Sequence, residues 1–419
     1  MATILNDCFA EHHKLLPAEE ALARLRAGVS PVVGCEEVSL ANAKGRILAQ
    51  NLVSPNNVPP FNNAAVDGYA FNSQDLSANI ETTLAISAYI AAGGETPAPL
   101  QSGSAARIFT GAPLPAGADT VIMQEDVTAD EQSVSIPQHT KTGINWRPAG
   151  EDMSTGETVL LAGHRLRPQD IGCAAAMGYA KLSVFKRLKV AVFSSGNEIY
   201  EPGQTPPEGG IFDVNRYMLM TQVRQTGAEV SDLGILPDTL DATVAALDLA
   251  AKNHDLILSS GGVSTGDKDH IAHAINQLGQ INFWRLAIKP GRPLAFGHIA
   301  NTALIGFPGN PVATGVCFMR FGFPLLCALS GQIWPEPIKL TLPAAFSLSK
   351  KPGRTEWLRA NLQVDTNGRS QVDKHPRQGS GILTSLVGAD GLIELCESST
   401  RIEIGDAVSF LPFSQFNVA

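Results

Sequence analysis

From Leu188 to Leu329, apolar stretches of strand length alternate with helical stretches, and this alternation constrains the fold more than any other feature of the chain. Leu188–Ser194 reads as a near-continuous apolar strand, Arg216–Gln225 as a helix stopped by Gly227, and Glu229–Leu236 as a strand. Asp238 is expected to cap a helix over Ala242–Ala251, and Asp255–Ser259 follows as a strand. His270–Leu278 reads as a helix, Asn282–Ala287, Leu294–Phe296 and Ala303–Phe307 as strands, and Val312–Leu329 as a closing helix. Strands alternating with helices imply right-handed crossovers, so the pattern predicts a parallel, doubly wound sheet with helices on both faces.

The flanks read differently. Pro17–Ala27 is a short helix with Pro17 at its first position, glutamates in its first turn and Gly28 at its stop. Val38 to Phe71 holds short β-like pieces and turns. Residues 72–145 form a β-rich module with strands such as Thr83–Ile90, Ala106–Phe109 and Thr120–Gln124, and Pro168–Met177 is a helix ended by Gly178. After Gly331 the helical signal ends, and Lys339–Leu348, Glu356–Val364 and Arg401–Phe410 read as strands of an all-β barrel or sandwich. A chain of 419 residues accommodates such a multidomain layout without disulfide staples.

Composition excludes several classes. The net charge of −9 argues against a nonspecific nucleic-acid surface, which needs a basic face. The six cysteines are scattered, with no C-x-x-C, as in intracellular enzymes rather than disulfide frameworks. No apolar run approaches the ~20 residues that span a bilayer, and the N-terminal stretch lacks the basic and apolar regions of a secretory signal. A cytoplasmic protein without membrane or nucleic-acid partners is expected. His12-His13 lies in a polar stretch and reads as surface.

Ligands of open α/β sheets bind at the carboxyl ends of the strands, and four loops of unusual composition fall there. They are Ser194-Ser-Gly-Asn-Glu198, Ser260-Gly-Gly-Val-Ser-Thr-Gly-Asp-Lys-Asp269, Lys289-Pro-Gly-Arg-Pro293 and Phe307-Pro-Gly-Asn-Pro311. Glycine lets backbone approach a ligand, hydroxyls and N–H groups bind anions, and Lys289 and Arg292 add positive charge. Glu198, Asp267 and Asp269 are candidate Mg²⁺ ligands, because that ion takes few carboxylates and keeps waters. Any one loop alone is an ordinary βα turn; four together point to a pocket for a phosphorylated or oxyanionic ligand. Neither G-x-x-x-x-G-K-[ST] nor H-E-x-x-H occurs. Outside the sheet, Asp67-Gly68 reads as a hairpin turn, and Arg147-Pro-Ala-Gly-Glu-Asp152 as a surface ion pair.

These segments, with Pro59–Ala70, Thr110-Gly-Ala-Pro113 and Asp213-Val-Asn-Arg216, resemble the molybdopterin molybdenumtransferase family, the MoeA proteins and the gephyrin E domain, from about Ala18 to Phe413. The resemblance implies an adenylyltransferase-like α/β domain (1–26 and 183–331), an elongated linker domain (27–53 and 146–182), an inserted β-rich domain (54–145) and a C-terminal β-barrel (332–419). It implies insertion of molybdenum from molybdate into adenylated molybdopterin with release of AMP, assisted by Mg²⁺, in a homodimer. A molybdopterin adenylyltransferase and molybdoenzymes are implied partners.

Carried over by residue, acidic site positions fall on Asp67, Asp152, Glu198, Asp238 and Asp269. Binding positions fall on Ser195, Gly196, Ser260, Gly261, Gly262, Ser264, Lys289, Arg292, Pro308, Gly309 and Asn310, and an oxyanion pair on Arg354 with Ser380 or Ser385. Asn62 and Asn197 stand where the family usually has Asp, and Ala313 where Ser is common. These departures motivate a second reading, a divergent, weakly active or non-catalytic member acting as a scaffold.

Overall fold

A computed structural model describes residues 15–77, 79–236, 239–261 and 270–416. Its centre is a six-stranded sheet built from Lys189–Ser194 (β1), Glu229–Ile235 (β2), Leu256–Ser260 (β3), Gly279–Arg285 (β4), Pro293–Ile299 (β6) and Thr302–Phe307 (β7). Ile288–Lys289 (β5) falls between β4 and β6 but belongs to another sheet. The spatial order is β2-β1-β3-β7-β6-β4. The period-two pattern of β1 divides its side chains between two cores. Val190 and Val192 pack with the helix Asn215–Gln225 and the 311–329 helical stretch, while Ala191 and Phe193 pack with Leu240–Asn253 and His270–Leu278. Helices therefore cover both faces.

The expected all-parallel sheet is corrected at one edge. β2, β1, β3 and β7 are parallel, but β6 is antiparallel to both β7 and β4. The reason is the length of the connections. Only Ala300-Asn301 separates the paired Ile299 and Thr302, and a turn that short closes a hairpin; a parallel crossover needs a dozen residues or more. Because β4 runs with β7, the 286–292 loop still emerges at the same sheet edge as the other three loops.

Helix boundaries also move. Pro17 occupies the N-cap rather than the first turn of Ala18–Gly28, and Gly28 is its last residue. The Leu240–Asn253 helix starts earlier than expected and has Thr239 at its N-cap; Asp238 lies outside the described residues. The closing helix begins at Pro311 and passes through a π-helical turn at Phe318–Gly322, just before Pro324, which has no N–H to continue an α-helical ladder. Contrary to the reading that no apolar run approaches spanning length, Pro311–Leu329 is long and apolar enough to cross a membrane, yet 94% of its apolar window is buried inside the protein. It is a core helix.

Leu340–Pro343 (β8), Thr355–Val364 (β9), Ser370–Lys374 (β10), Gly391–Leu395 (β11) and Ala407–Pro412 (β12) form the C-terminal sheet, in the order β5-β9-β11-β12-β8, with β10 on β9. The single strands expected at 339–348 and 401–410 are each broken. Leu348–Ser349 pairs separately with Arg401–Ile402, and Gly405, at φ 92°, turns the chain before β12. The sheet's outermost strand, β5, comes from the central unit: Ile288 pairs with Thr355 and Lys289 with Glu356.

Residues 68–136 build a further six-stranded sheet, and Cys35–Ser39 pairs with Lys181–Phe185 on the way to the centre. Asp67-Gly68 is not a hairpin turn, because the strands on either side have different partners. Asn63–Ala64 pairs with Trp146–Arg147, whereas Gly68–Phe71 pairs with Ser104–Ile108 and Thr120–Met123.

Candidate functional site

The sheet's carboxyl edge and the C-terminal sheet enclose a cavity of about 720 Å³. Its walls are Glu198 and Gly261, the whole Lys289–Pro293 loop, Phe307–Asn310 with Ala313, and Arg354 with Gln378–Ser380. Three cations and one carboxylate thus face a common space lined with loop backbone. Such a surface binds an anion with several oxygens.

Each wall has a local cause. Gly196 takes φ 142°, and a Cβ there would sit 2.6 Å from Glu198 Oε2, so glycine lets the Glu198 carboxylate fold back over the turn. Beneath it Ser195 is buried with its hydroxyl lacking a hydrogen-bond partner among the described residues, and its N–H donates to the Ser260 carbonyl at 3.4 Å. Gly291, at φ 96°, passes directly over Cys317 Sγ, where any Cβ would overlap the sulfur. Burial pushes the Cys317 thiol up to about 12, so it is an inert filler. The Pro308–Asn310 turn is held from below: Asn215 Nδ2 donates to the Gly309 carbonyl at 2.7 Å, and Thr314 Oγ1 to the Asn310 carbonyl at 3.1 Å. Val312 N–H donates to the Ser380 carbonyl at 3.0 Å and so joins the start of the helix to the C-terminal unit.

The Asp213–Arg216 motif supports the first loop. Asp213 accepts from Ser194 Oγ at 3.0 Å and from Arg216 Nε at 2.8 Å, and Arg216 also pairs with Glu201 and Asp232. Burial works against the Arg216 charge, but the carboxylates outweigh it and hold the guanidinium above its ordinary range.

Family models match along the chain. Residues 16–178 match the MoeA N-terminal region (domain I and II), 191–328 a probable molybdopterin binding domain, and 341–413 the MoeA C-terminal region (domain IV). A molybdopterin molybdenumtransferase of Haemophilus influenzae is 35% identical over 96% of this chain and 99% of its own length. The chain belongs to the MoeA family of molybdopterin molybdenumtransferases. It is a transferase of molybdenum cofactor biosynthesis. Molybdopterin molybdenumtransferase 2 of Mycobacterium tuberculosis is 35% identical over 88% of this chain and 92% of its own. The crystal structure of a molybdopterin biosynthesis MoeA protein from Pyrococcus horikoshii OT3 matches with TM-score 0.82 at 30% identity, covering 95% of this chain and all of that one.

Within this MoeA-family chain, the expected residues divide into three groups. Glu198, Gly261, Lys289, Arg292, Pro308, Gly309, Asn310, Arg354 and Ser380 line one cavity, with Ser195, Gly196 and Ser260 forming the turn and strand end behind Glu198 and Gly261. Asp238, Gly262, Ser264, Asp267 and Asp269 lie outside the described residues. Asp67 and Asp152 do not line the cavity. Asp67 Oδ1 accepts from the backbone N–H and the hydroxyl of Thr110, both at 2.8 Å, and these bonds hold its carboxyl below the usual range. Arg147 and Glu151 lie 4.0 Å apart and exposed, the weak surface pair expected of that segment. Asn62, at a departure position, accepts from Ala149 N–H and braces the same segment. Ala313, at another, lines the cavity.

Sequence reasoning missed Glu356, Arg359 and Gln378. Glu356 is buried behind two of the cations, with Oε2 at 3.1 Å from Lys289 Nζ and Oε1 at 3.8 Å from Arg354. Arg359 is 1% exposed, and burial lowers it to about 10, which still leaves it charged at neutral pH. It donates to Ser385 Oγ at 3.0 Å and the Gly379 carbonyl at 3.3 Å, while Gln378 Nε2 donates to its carbonyl at 2.8 Å. Ser380 therefore faces the cavity, and Ser385 belongs to its support. No alternation along β9 marks Glu356 and Arg359: its first six residues are all buried, and charged side chains there need the partners that only the folded chain supplies.

Proposed function

We propose that the protein binds adenylated molybdopterin and molybdate in this cavity, transfers molybdenum to the dithiolene sulfurs and releases AMP as the pyrophosphate is cleaved. One observation carries the reading: Lys289, Arg292 and Arg354 converge with Glu198 and the Gly261 and Pro308–Asn310 backbone on one space at the sheet's carboxyl edge. A tetrahedral oxyanion needs cationic donors on more than one side, and a pyrophosphate needs N–H groups and charge neutralisation. Lys289 and Arg354 would grip the molybdate oxygens, with Ser380 as a hydroxyl donor, and Arg292 would face the phosphates.

Among the described residues no group of three His, Cys, Asp or Glu is placed to hold a metal. The single Glu198 carboxylate on the cavity wall fits the sparse protein ligation that Mg²⁺ accepts, and we assign Asp267 and Asp269 as its companions. When bound, the ion would neutralise charge on the pyrophosphate. We read the chain as four units with the boundaries given above, and as a homodimer in which Asp67 and Asp152, which do not line their own cavity, complete that of a second copy. A molybdopterin adenylyltransferase is the expected supplier of substrate and molybdoenzymes the expected recipients. The cysteines among the described residues are unpaired, which supports a cytoplasmic location.

Reconstitution with purified adenylated molybdopterin and molybdate tests the reading: AMP release should depend on molybdate. Absence of molybdate-dependent AMP release would refute it. A monomer by sedimentation at micromolar concentration, with full activity, would remove the dimer.

A further inference from the structure

Three cations line the cavity, and among the described residues Glu356 is the one carboxylate ion-paired to any of them. It does not itself line the cavity, and its side chain is 4% exposed against 49% for Lys289. Backbone geometry sets this arrangement. β5 and β9 pair in parallel with Lys289 opposite Glu356, and Thr355 N–H donates to the Ala287 carbonyl at 2.9 Å. Directly opposed residues on neighbouring strands project to the same face, which sets Lys289 against Glu356. Arg354 lies in the bend just before β9, and the Glu356 carboxylate turns one oxygen to each cation, at 3.1 Å from Lys289 and 3.8 Å from Arg354.

Resting on the reading above, we propose that Glu356 is the positioning residue of the oxyanion subsite: it holds the Lys289 ammonium and the Arg354 guanidinium at a fixed separation, so that both donors are in place before molybdate arrives. The chemistry favours this role over simple charge cancellation. A lysine on a four-carbon stem loses side-chain entropy when it fixes an anion, and a prior ion pair removes much of that loss. Two like charges facing one space repel, and a buried carboxylate between them keeps them together. Because β5 and β9 belong to different parts of the chain, the same carboxylate also couples the cation loop to the C-terminal wall.

The test uses the full-length protein with the variants Glu356→Gln and Glu356→Asp. Molybdate and AMP are titrated separately by calorimetry, and the reactivity of Lys289 is followed by competitive acetylation and peptide mass spectrometry. Glu356→Gln should raise the molybdate Kd about tenfold, as for a lost charge-assisted contact, and leave the AMP Kd within about twofold. Acetylation of Lys289 should rise about threefold as its ammonium is released. Glu356→Asp should restore most of the molybdate affinity, a rescue that a merely structural role would not give. Unchanged acetylation in Glu356→Gln would overturn the proposal, and so would molybdate binding as tight as or tighter than in the wild type. If the wild type binds no molybdate while acetylation still responds, Glu356 positions Lys289 as proposed and the assignment of the cavity to molybdate fails instead.

Discussion

Replacing Gly291 with alanine should be one of the more damaging single-methyl additions in this chain. At φ 96° an L-residue is disfavoured, at a cost of about 1–2 kcal/mol. The new Cβ would also overlap Cys317 Sγ, which is fully buried and has no room to withdraw; overpacking of that kind costs about 1–3 kcal/mol. The sum is about 2–5 kcal/mol, read as a drop in the urea midpoint. Strain on this loop should also displace Lys289 and Arg292 and weaken molybdate binding. Cys317→Ala separates the two contributions. Alone it should cost about 1 kcal/mol for the lost sulfur volume. Combined with Gly291→Ala it vacates the space the methyl needs, so the double variant should lose only the backbone cost of about 1–2 kcal/mol and be more stable than Gly291→Ala alone. A Gly291→Ala loss under about 1 kcal/mol, or a double variant no more stable than the single, would refute the close-contact reasoning.

Lys289→Ala should raise the molybdate concentration at half-saturation about 10- to 150-fold, from a lost charge-assisted bond of roughly 1.5–3 kcal/mol, with a smaller effect on nucleotide binding; an unchanged half-saturation would move the molybdate site towards Arg354. Asp269→Ala should abolish AMP release and leave the fold intact, and wild-type turnover at saturating Mg²⁺ would exclude the metal role. Thr110 holds the Asp67 carboxyl below its ordinary value. Its stabilising effect is therefore present above the ordinary carboxylate value and is lost as pH falls through the lowered one. Thr110→Val keeps the backbone bond and removes the hydroxyl one, so it should move the Asp67 titration upwards when followed by NMR, and an unmoved titration would rule out a part for the hydroxyl.

Much of the cavity was legible because its loops announce themselves by composition. Pro-Gly-Arg-Pro and Pro-Gly-Asn-Pro are poor strand and helix material, so they mark the ends of elements, and the alternation around them fixes which sheet edge they occupy. The helix read from Arg216, one residue after its observed start at Asn215, and its stop near Gly227 were likewise readable, since φ 86° at that glycine is a local requirement. The antiparallel edge was missed because the short strands on either side of Ala300-Asn301 look apolar in any direction; only the loop length separates a hairpin from a crossover. Glu356 and Arg359 were unreadable for a different reason. In sequence they are two charges in a β-rich tail, and their meaning depends on a ladder to Lys289, 67 residues away, and on a contact to Ser385. Asp67 shows the converse. Its spacing is conspicuous, but nothing in the sequence tells whether its carboxylate faces the cavity of its own chain.

β5 has a mechanical consequence. Two residues of the chain serve as the border strand of one sheet while their continuation, four residues on, opens a strand of another. The two sheets are stitched in series by the segment that carries the cations, so they cannot be drawn apart as rigid bodies without stripping the Thr355–Ala287 and Val312–Ser380 hydrogen bonds. Loss of the last 80 or so residues would not merely remove one wall of the cavity. It would leave Ile288–Lys289 without a neighbour and let the cation loop fray, so a shortened chain should keep its central sheet and its nucleotide-facing turns while losing grip on the oxyanion.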